Sequence, residues 1–347
     1  MVLDRINNFD FIRLFASLQV LVWHALVHLN LFHADSLFLK ILYNVPGVPI
    51  FFAISGFLIT ASIDKSTFRI EKYVRSRFMR LFPALFVCLL FTAGLMYWSE
   101  ISVNLSDWVI YLFTQLTVFQ SWVPDGLRGW GVGHPNGSLW SISVEIQLYF
   151  FLPFLVIALR SKKLEKKNFI LFLLFVSSIA YRFIFDEYVH GKSEKIAQLG
   201  SMFLLHHFHF FVLGIAFYYN FKRLIPFLEN QVLKWLGIYA GYVLFFKYFL
   251  ETYENPYSYS IFGIIANVLL IGFMFSFAFS NKTWSSKVLK HHDISYGLYI
   301  FHMPIVNFFV ENELVGKMTY FFLVCLLSFV LALVSWLFIE RKALQLK

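Results

Sequence analysis

Residues 9–30 read FDFIRLFASLQVLVWHALVHLN, and this stretch decides the fold class. It is apolar over a length that can cross a bilayer, yet polar side chains recur within it. The polar positions, separated by 3, 4, 7 and 4 residues, are Asp10, Arg13, Ser17, His24 and His28. At about 100° per residue they fall on one face of an α-helix. Because ionisable groups inside a membrane usually face a protein interior or a wet cavity, we expect the rest of the chain to enclose this face.

The composition supports the same class of protein. The 347 residues are 59% hydrophobic and 14% charged, with 45 Phe. Soluble proteins are about 25% charged, so this chain has too few charges to cover a water-exposed surface. The net charge of +9 comes in short basic clusters between apolar runs, a pattern typical of cytoplasmic loops. We therefore predict an all-α, polytopic integral membrane protein in contact with membrane lipid and without a nucleic-acid partner.

About ten transmembrane helices can be drawn along the chain, each of roughly 18–22 residues. They cover residues 11–32, 45–63, 80–98, 138–159, 169–186, 200–219, 232–250, 260–279, 294–311 and 318–338. The apolar segment 107–122 contains polar residues, and we interpret it as part of a long outer loop, interfacial or re-entrant; the alternative is an eleventh span. With the N-terminus inside, 22 of the 29 Lys and Arg residues fall on the inner side. This bias predicts that both termini are cytoplasmic.

A second polar stripe lies in the predicted fourth span. Its members, spaced 3, 4 and 4 residues apart, are Ser138, Ser141, Glu145 and Tyr149. The helical rise of about 1.5 Å per residue places Glu145 at a depth similar to that of His24. A buried Glu needs a partner, which we expect to be His24 or an Arg. The alternative is a structural carboxylate that fixes the helix register. Histidine suits proton transfer near neutral pH, although a single His in a span often only packs.

Two further motifs have a functional and a structural interpretation each. Arg77 and Arg80 share a helix face at the inner entry to the predicted third span. Arginine favours bidentate phosphate binding, so the pair indicates either a phosphate-bearing cosubstrate or simple anchoring at the inner surface. Gly56 follows Ser55 in an apolar helix. It permits close approach of another backbone, a lipid tail or a substrate, and the structural interpretation is helix packing.

The remaining histidines suggest cavity lining more than metal binding. In the predicted sixth span His206, His207 and His209 resemble a metal cluster, but only His206 and His209 share a face. No carboxylate or Cys motif accompanies them, so no metal is predicted. In the predicted ninth span, His302 precedes Pro304 by two residues. We expect its ring to bond backbone groups that the proline frees.

Taken in this order, these stretches resemble the membrane acyltransferase family 3, the O-acetylase family of polysaccharide and lipopolysaccharide modification. The resemblance runs from about Asn8 to Arg341. Four local patterns carry it: Arg13 followed by ten residues and His24; the segment GVPIFFAISGFLIT; the pair Arg77 and Arg80; and SLWSISVEIQLYFFLP with Glu145, followed far downstream by ISYGLYIFHMPI.

The resemblance implies an O-acyltransferase that moves an acyl group, usually acetyl from acetyl-CoA, to a hydroxyl of a cell-surface polysaccharide or glycolipid such as O-antigen or exopolysaccharide. With the polar faces described above, it gives a set of expected site residues. They are His24 and Glu145 for catalysis; Arg13, Arg77 and Arg80 for acyl-CoA; and His28, Ser141, Tyr149 and His302 for the acceptor.

Some members of that family carry a fused extracytoplasmic esterase-like domain. Because the chain ends at Lys347, directly after the predicted tenth span, we expect a single acyltransferase domain over residues 1–347 without that fusion. We expect it in the inner membrane, alone or with polysaccharide-synthesis partners. The main alternative is a transporter or flippase of a glycolipid or acyl carrier, although no paired halves with broken helices are visible. A structural subunit with a decayed site is a third interpretation, against which the intact Arg13, His24 and Glu145 argue.

Overall fold

The protein is helical throughout the part of the chain that the structure describes. This computed structural model describes residues 8–31, 36–65, 67–101, 103–189, 194–251, 260–281, 283–290 and 292–346. Four basic residues used for the predicted orientation lie outside the described residues: Arg5, Lys192, Lys282 and Lys347. The described α-helices are α1 (Phe9–His28), α2 (Leu37–Asn44), α3 (Gly47–Ile63), α4 (Ile70–Trp98), α5 (Leu105–Gln115), α6 (Trp140–Arg160), α7 (Leu164–Tyr188), α8 (Glu194–Ser201), α9 (Leu204–Tyr219), α10 (Phe221–Leu228), α11 (Val232–Val243), α12 (Ile261–Phe279), α13 (Trp284–Leu289), α14 (Ser295–Glu311), α15 (Met318–Ser335) and α16 (Arg341–Gln345).

Eight helical segments of the described residues are long and apolar enough to cross a membrane. They are Phe9–His28, Leu37–Ile63, Ile70–Trp98, Gly137–Arg160, Leu164–Tyr188, Leu199–Tyr219, Ile261–Phe279 and Met318–Gln345. This confirms the prediction of an all-helical, multi-pass membrane protein. Two more predicted spans also contain helices: α14, and α11 with the π-helical turn Leu244–Phe249 that follows it. The count of ten and the cytoplasmic termini stay predictions.

The segment 107–122, predicted to lie in an outer loop, contains one short helix. Helix α5 has 11 residues, which rise about 17 Å and are too few to span a hydrocarbon core of about 30 Å. Beyond α5 the chain turns back, because the side-chain amides of Gln115 and Gln120 each donate to the other's backbone carbonyl at 2.9 Å. The segment is therefore a folded piece of loop structure with a helical start.

The chain divides into two compact units, which are described here one at a time. The first unit comprises Met1–Ala16, Ile41–Phe68 and Leu148–His292. The second unit comprises Ser17–Lys40, Arg69–Gln147 and Asp293–Lys347.

Glycine and phenylalanine pack the first unit. A methyl group on Gly56 of α3 would overlap the backbone carbonyl of Phe211 in α9, and one on Gly214 of α9 would overlap the carbonyl of Ala53. The two helices thus meet backbone to backbone, which only residues without a side chain allow. The helix-packing interpretation of Gly56 is the one the structure supports.

A cluster of buried aromatic rings fills the core of the same unit. It joins α1, α3, α9 and α12, and its closest stacked pair is Phe217 and Phe275, with ring centroids 4.2 Å apart. Phe9, Phe57 and Phe279 pack around that pair at centroid distances of 5.4 to 6.0 Å. Offset and edge-to-face contacts of this kind add to the gain from area burial alone.

In the second unit α14 is the central helix. Its residues are buried along nearly the whole length from Ser295 to Phe309, so its apolar residues surround the helix on every side. A helix buried in this way must satisfy each polar side chain inside the protein. Those side chains include Tyr299, His302 and Asn307, which contact residues of the candidate site and of the loop before α6.

Candidate active site

The centre of the candidate site is a pair of histidines on α1 and α14. Nδ1 of His24 lies 2.9 Å from Nε2 of His302, and the two rings are inclined by 17° with centroids 5.2 Å apart. His302 is fully buried at 0% exposure, whereas His24 is partly exposed. The two residues are 278 positions apart in the sequence, so only the fold could show that they are partners.

The hydrogen bonds of the pair assign its tautomers. Nδ1 of His302 lies 3.2 Å from the backbone carbonyl of Leu298, and because a carbonyl only accepts, that nitrogen carries the proton. In the neutral ring Nε2 of His302 is then an acceptor, so Nδ1–H of His24 donates to it. This leaves the lone pair of His24 on Nε2, to which no described residue donates a hydrogen bond. His24 is thus held in the form that can accept a proton.

His28 extends the pair along α1. Its ring centroid lies 5.8 Å from that of His24, as expected for residues one turn apart on the same helix face. It is partly exposed. The structure therefore places all three histidines, His24, His28 and His302, in one group.

Tyr299 joins this group to α6. Its ring lies 6.0 Å from that of His302, and its hydroxyl donates to the carbonyl of Ser138 at 3.1 Å. The hydroxyl of Ser141 lies 2.7 Å from the Tyr299 oxygen, which can accept from it once its own proton is given to Ser138. Ser141 thus fixes the position of Tyr299, which lies against the histidine pair.

Glu145 lies on α6 one turn beyond Ser141. Its carboxylate acts electrostatically on the hydroxyls of both Tyr299 and Tyr73. The guanidinium of Arg77 lies 5.6 Å from the centroid of the Tyr73 ring, a cation–π contact. Both tyrosines border groups described above, since Tyr299 contacts His302 and Tyr73 contacts Arg77.

Arg80 makes an ion pair that the sequence did not reveal. Its Nη2 lies 2.7 Å from Oδ2 of Asp293, and Asp293 is only 8% exposed. The other carboxylate oxygen of Asp293 accepts from the backbone amide of Ser295 at 3.3 Å and from the Ser295 hydroxyl. Asp293 therefore caps the first turn of α14 while it balances the charge of Arg80.

A second carboxylate, Glu340, belongs to the same region. It is 3% exposed and accepts a hydrogen bond of 2.7 Å from the hydroxyl of Ser335. Arg80 and Asp293 both act on it electrostatically. It ends the π-helical turn Trp336–Glu340, and turns of this type are frequent at functional sites.

The prediction that the His302 ring bonds backbone groups freed by Pro304 needs a correction. The proline lacks the N–H that would have bonded the carbonyl of Ile300 four residues earlier. That carbonyl accepts instead from Nδ2 of Asn136 at 2.8 Å and from the thiol of Cys88 at 3.2 Å. The ring of His302 bonds Leu298, so the expectation that it satisfies the freed backbone group is wrong.

The loop between α5 and α6 is attached to the same helix by two further side chains. Oδ1 of Asn307 accepts from the backbone amide of Val132 at 2.9 Å, and its Nδ2 donates to the carbonyl of His134 at 2.7 Å. Glu311 accepts from the amide of Gly131 at 2.8 Å. Gly131 has φ +62° and a Cβ there would overlap Asn307, so this position requires glycine.

Two of the predicted site residues, Arg13 and Tyr149, belong to the first unit. Arg13 makes an ion pair of 3.2 Å with Asp10. The other seven lie in the second unit: His24, His28, Arg77, Arg80, Ser141, Glu145 and His302. The roles given to all nine stay predictions.

The three histidines of α9 serve the packing of the first unit. His209 bonds the hydroxyl of Ser178 at 3.0 Å, His207 bonds the carbonyl of Ser201 at 2.8 Å, and His206 lies 4.0 Å from Asp186. Each ring has a different partner. Within the described residues no group of three or more His, Cys, Asp or Glu side chains is arranged to hold a metal ion.

Fold and site together define a class: a multi-pass membrane protein with an imidazole poised to accept a proton and arginines on the same unit. The comparison with known families agrees, since the chain belongs to the family of the acyltransferase domain (acyltransferase family 3), whose model matches residues 6–339. This confirms the resemblance inferred from the motifs, and the protein is an acyltransferase.

Several characterised proteins are similar to the chain. Nodulation protein 10 of Rhizobium leguminosarum bv. viciae is 28% identical over 360 residues, covering 98% of this chain and 94% of that protein. The O-acetyl transferase of Shigella phage Sf6 is 25% identical, covering 97% and 96%. The peptidoglycan O-acetyltransferase OatA of Listeria monocytogenes is 26% identical over 87% of this chain, which spans 49% of that longer protein. No solved structure matches.

Proposed function

We propose that this protein transfers acetyl from acetyl-CoA to a hydroxyl of a cell-surface polysaccharide or glycolipid, in the inner membrane and with both termini in the cytoplasm. The observation that carries the proposal is the hydrogen bond between His24 and His302, which leaves Nε2 of His24 free to accept a proton. Acyl transfer to an alcohol needs such a base, because the neutral hydroxyl is a poor nucleophile.

The reaction follows from that geometry. Nε2 of His24 takes the proton of the acceptor hydroxyl as its oxygen attacks the thioester carbonyl. The carbon–sulfur bond breaks, and the protonated His24 returns its proton to the CoA thiolate. His302 accepts from Nδ1 of His24 throughout, so it holds the ring in place much as the carboxylate of a hydrolase triad does. A covalent acyl-His24 intermediate is the second route, in which Nε2 attacks the thioester first.

The donor would be bound through the arginines of α4. Arg80 is already neutralised by Asp293 at 2.7 Å, so we assign the main contact with the CoA phosphates to Arg77 and an orienting role to Arg80. Arg13 is the third predicted ligand of the donor. Glu145 would tune the polar path between the two ends through Tyr73 and Tyr299.

The acceptor is assigned to glycans because the name of one relative includes a glycan. One is named a peptidoglycan O-acetyltransferase and another a phage O-acetyl transferase. His28, Ser141, Tyr149 and His302 are the residues we assign to the acceptor side, with Ser141 and His302 acting through Tyr299 and His24. We further propose that residues 1–347 form one acyltransferase domain, which works alone or beside enzymes of polysaccharide synthesis.

The test is transfer by the purified protein. In detergent or nanodiscs, radiolabelled acetyl-CoA and a panel of glycan and glycolipid acceptors should give labelled acceptor with the native chain. His24→Ala should lower the rate by about 10²–10⁴-fold, the usual contribution of a general base. The matched control is His209→Asn, which keeps a side chain able to bond Ser178 and should leave the rate unchanged.

The variants must first be shown to fold, by a single size-exclusion peak and an unchanged melting temperature. Full activity of a folded His24→Ala would remove the assignment of the base. Movement of glycolipid across proteoliposomes without label transfer would instead indicate a carrier. Label retained on the native chain and absent from His24→Ala would select the covalent route.

A further inference from the structure

A groove in the first unit has no part in the acyl-transfer proposal. It has a volume of about 670 Å³ and lies among α9, α10, α11 and α12, within the range of about 300–1,000 Å³ typical of small-molecule sites. Most of its lining is apolar, including Leu213, Ile238 and Val268. The polar lining residues are Asn220, Arg223 and Lys234.

The polar lining residues lie at or near the ends of the helices that form the groove. Asn220 directly follows the last residue of α9, Arg223 lies in the first turn of α10, and Lys234 is the third residue of α11. Asn220 and Arg223 thus lie where α9 passes into α10, Lys234 lies at the start of α11, and all three line the same groove. Along α12 the lining runs from Val268 to Phe275, a rise of about 10 Å. The groove has a cationic end and a hydrocarbon-like slot.

Glycine and tryptophan shape the slot. A methyl group on Gly272 would overlap the indole of Trp235, so the ring can lie flat against α12 only because that position is glycine. The indole Nε1 donates to the carbonyl of Phe227 at 2.9 Å, which fixes the ring. Trp235 thus presents a rigid apolar wall.

The two cations lack counter-ions in the structure. Neither Arg223 nor Lys234 forms an ion pair with any described residue, and both are exposed. Two unpaired cations at the mouth of an apolar slot complement a molecule with a phosphate at one end and hydrocarbon at the other. A simple solvated basic loop would not need the slot, and an annular lipid would not need the paired charges.

We propose that this groove binds one anionic phospholipid, its phosphate against Arg223 and Lys234 and an acyl chain beside Trp235. The positively charged end lies in a segment that the Lys and Arg distribution assigns to the cytoplasm, where anionic lipids are abundant. The site would anchor α10 and α11 to one leaflet. It does not depend on the acyl-transfer proposal.

Native mass spectrometry in a neutral detergent tests the proposal. The native chain should retain one phosphatidylglycerol in preference to phosphatidylcholine during titration with both. Arg223→Gln with Lys234→Gln should weaken the apparent affinity for phosphatidylglycerol by about 30-fold, as expected for two charges near an anionic lipid. The matched control, Lys222→Gln with Lys287→Gln, removes two exposed charges that do not line the groove and should bind like the native chain.

A second variant probes the slot without changing charge. Gly272→Leu should push the indole into the groove and reduce lipid retention although both cations remain. Equal retention by the native chain and the Arg223/Lys234 variant would overturn the site and indicate an annular lipid. Displacement of phosphatidylglycerol by micromolar palmitoyl-CoA would overturn the assigned occupant, and would assign the groove to the acyl donor.

Discussion

The histidines of the first unit and those of the second unit differ in what they bond. The three on α9 are near neighbours in sequence, yet His206, His207 and His209 have three unrelated partners. His24 and His302 are 278 residues apart and bond each other. Neighbouring histidines thus bond separate partners, whereas the pair at the centre of the candidate site forms between distant helices. In that pair the tautomers leave Nε2 of His24 able to accept a proton.

The units also differ in how their helices are held. In the first unit Gly56 and Gly214 bring two backbones into contact and phenylalanine rings fill the core. In the second unit α14 is attached by polar side chains, such as Asn136 and Asn307. Polar contacts fix one arrangement, which a site for proton transfer needs, while apolar packing supplies stability.

The largest expected effect is on the catalytic rate, and it comes from substitution of His302, which separates the paired histidines from those that only pack. His302→Leu removes the acceptor for Nδ1–H of His24, and the catalytic rate should fall by about 10²–10⁴-fold. His302→Gln keeps an acceptor oxygen and should recover part of the rate. Measurement of kcat and KM at saturating acetyl-CoA distinguishes a positioning role, which lowers kcat, from loss of acceptor affinity. Native kcat in a folded His302→Leu protein would show that catalysis does not need the bond between His302 and His24, and the contrast with the α9 histidines would be lost.

An intermediate effect, on the free energy of unfolding, is expected when one ion pair in each unit is broken. Arg80→Met leaves the carboxylate of Asp293 buried without that guanidinium, at a cost of about 3 kcal/mol or more. Arg13→Met breaks a more exposed pair, with Asp10 49% exposed, and should cost less than about 1 kcal/mol. Thermal unfolding in detergent measures both. Equal losses for the two variants would show that burial does not set the difference.

The smallest effect concerns the close contact of α3 and α9. Gly56→Leu forces a side chain against the carbonyl of Phe211 and should destabilise by roughly 1–3 kcal/mol. The control is Gly94→Leu, because a Cβ at Gly94 meets no atom within 4 Å. That variant should be neutral or slightly stabilising. If both melt at the native temperature, the two backbones do not meet as described.

Much of the fold was predictable because apolar length and helical spacing are local properties. The stripe on α1 identified His24, and the spacing of Ser141 and Glu145 identified the matching face of α6. What could not be predicted is which faces meet. His302 was assigned to the acceptor side, and its bond to His24 depends on a contact across most of the chain.

Two carboxylates were missed for a different reason. Asp293 stands just before α14 and reads as an ordinary loop residue. Glu340 precedes Arg341 and Lys342, and the basic pair drew the interpretation to membrane orientation. A signal was present in each case: an Asp two residues before a helix favours capping, and a Glu at the end of an apolar helix is costly unless it is paired.

Pro304 has a consequence for how the loop between α5 and α6 docks on α14. Because Pro304 has no N–H, the carbonyl of Ile300 has no partner within the helix and is available to a donor from the loop. Asn136 meets that acceptor at 2.8 Å. A loop shifted by one residue would present Pro135 or Gly137, neither of which has a side-chain donor. Pro304 and Asn136 thus act together with Asn307 and Glu311 to select the register in which the loop docks on α14.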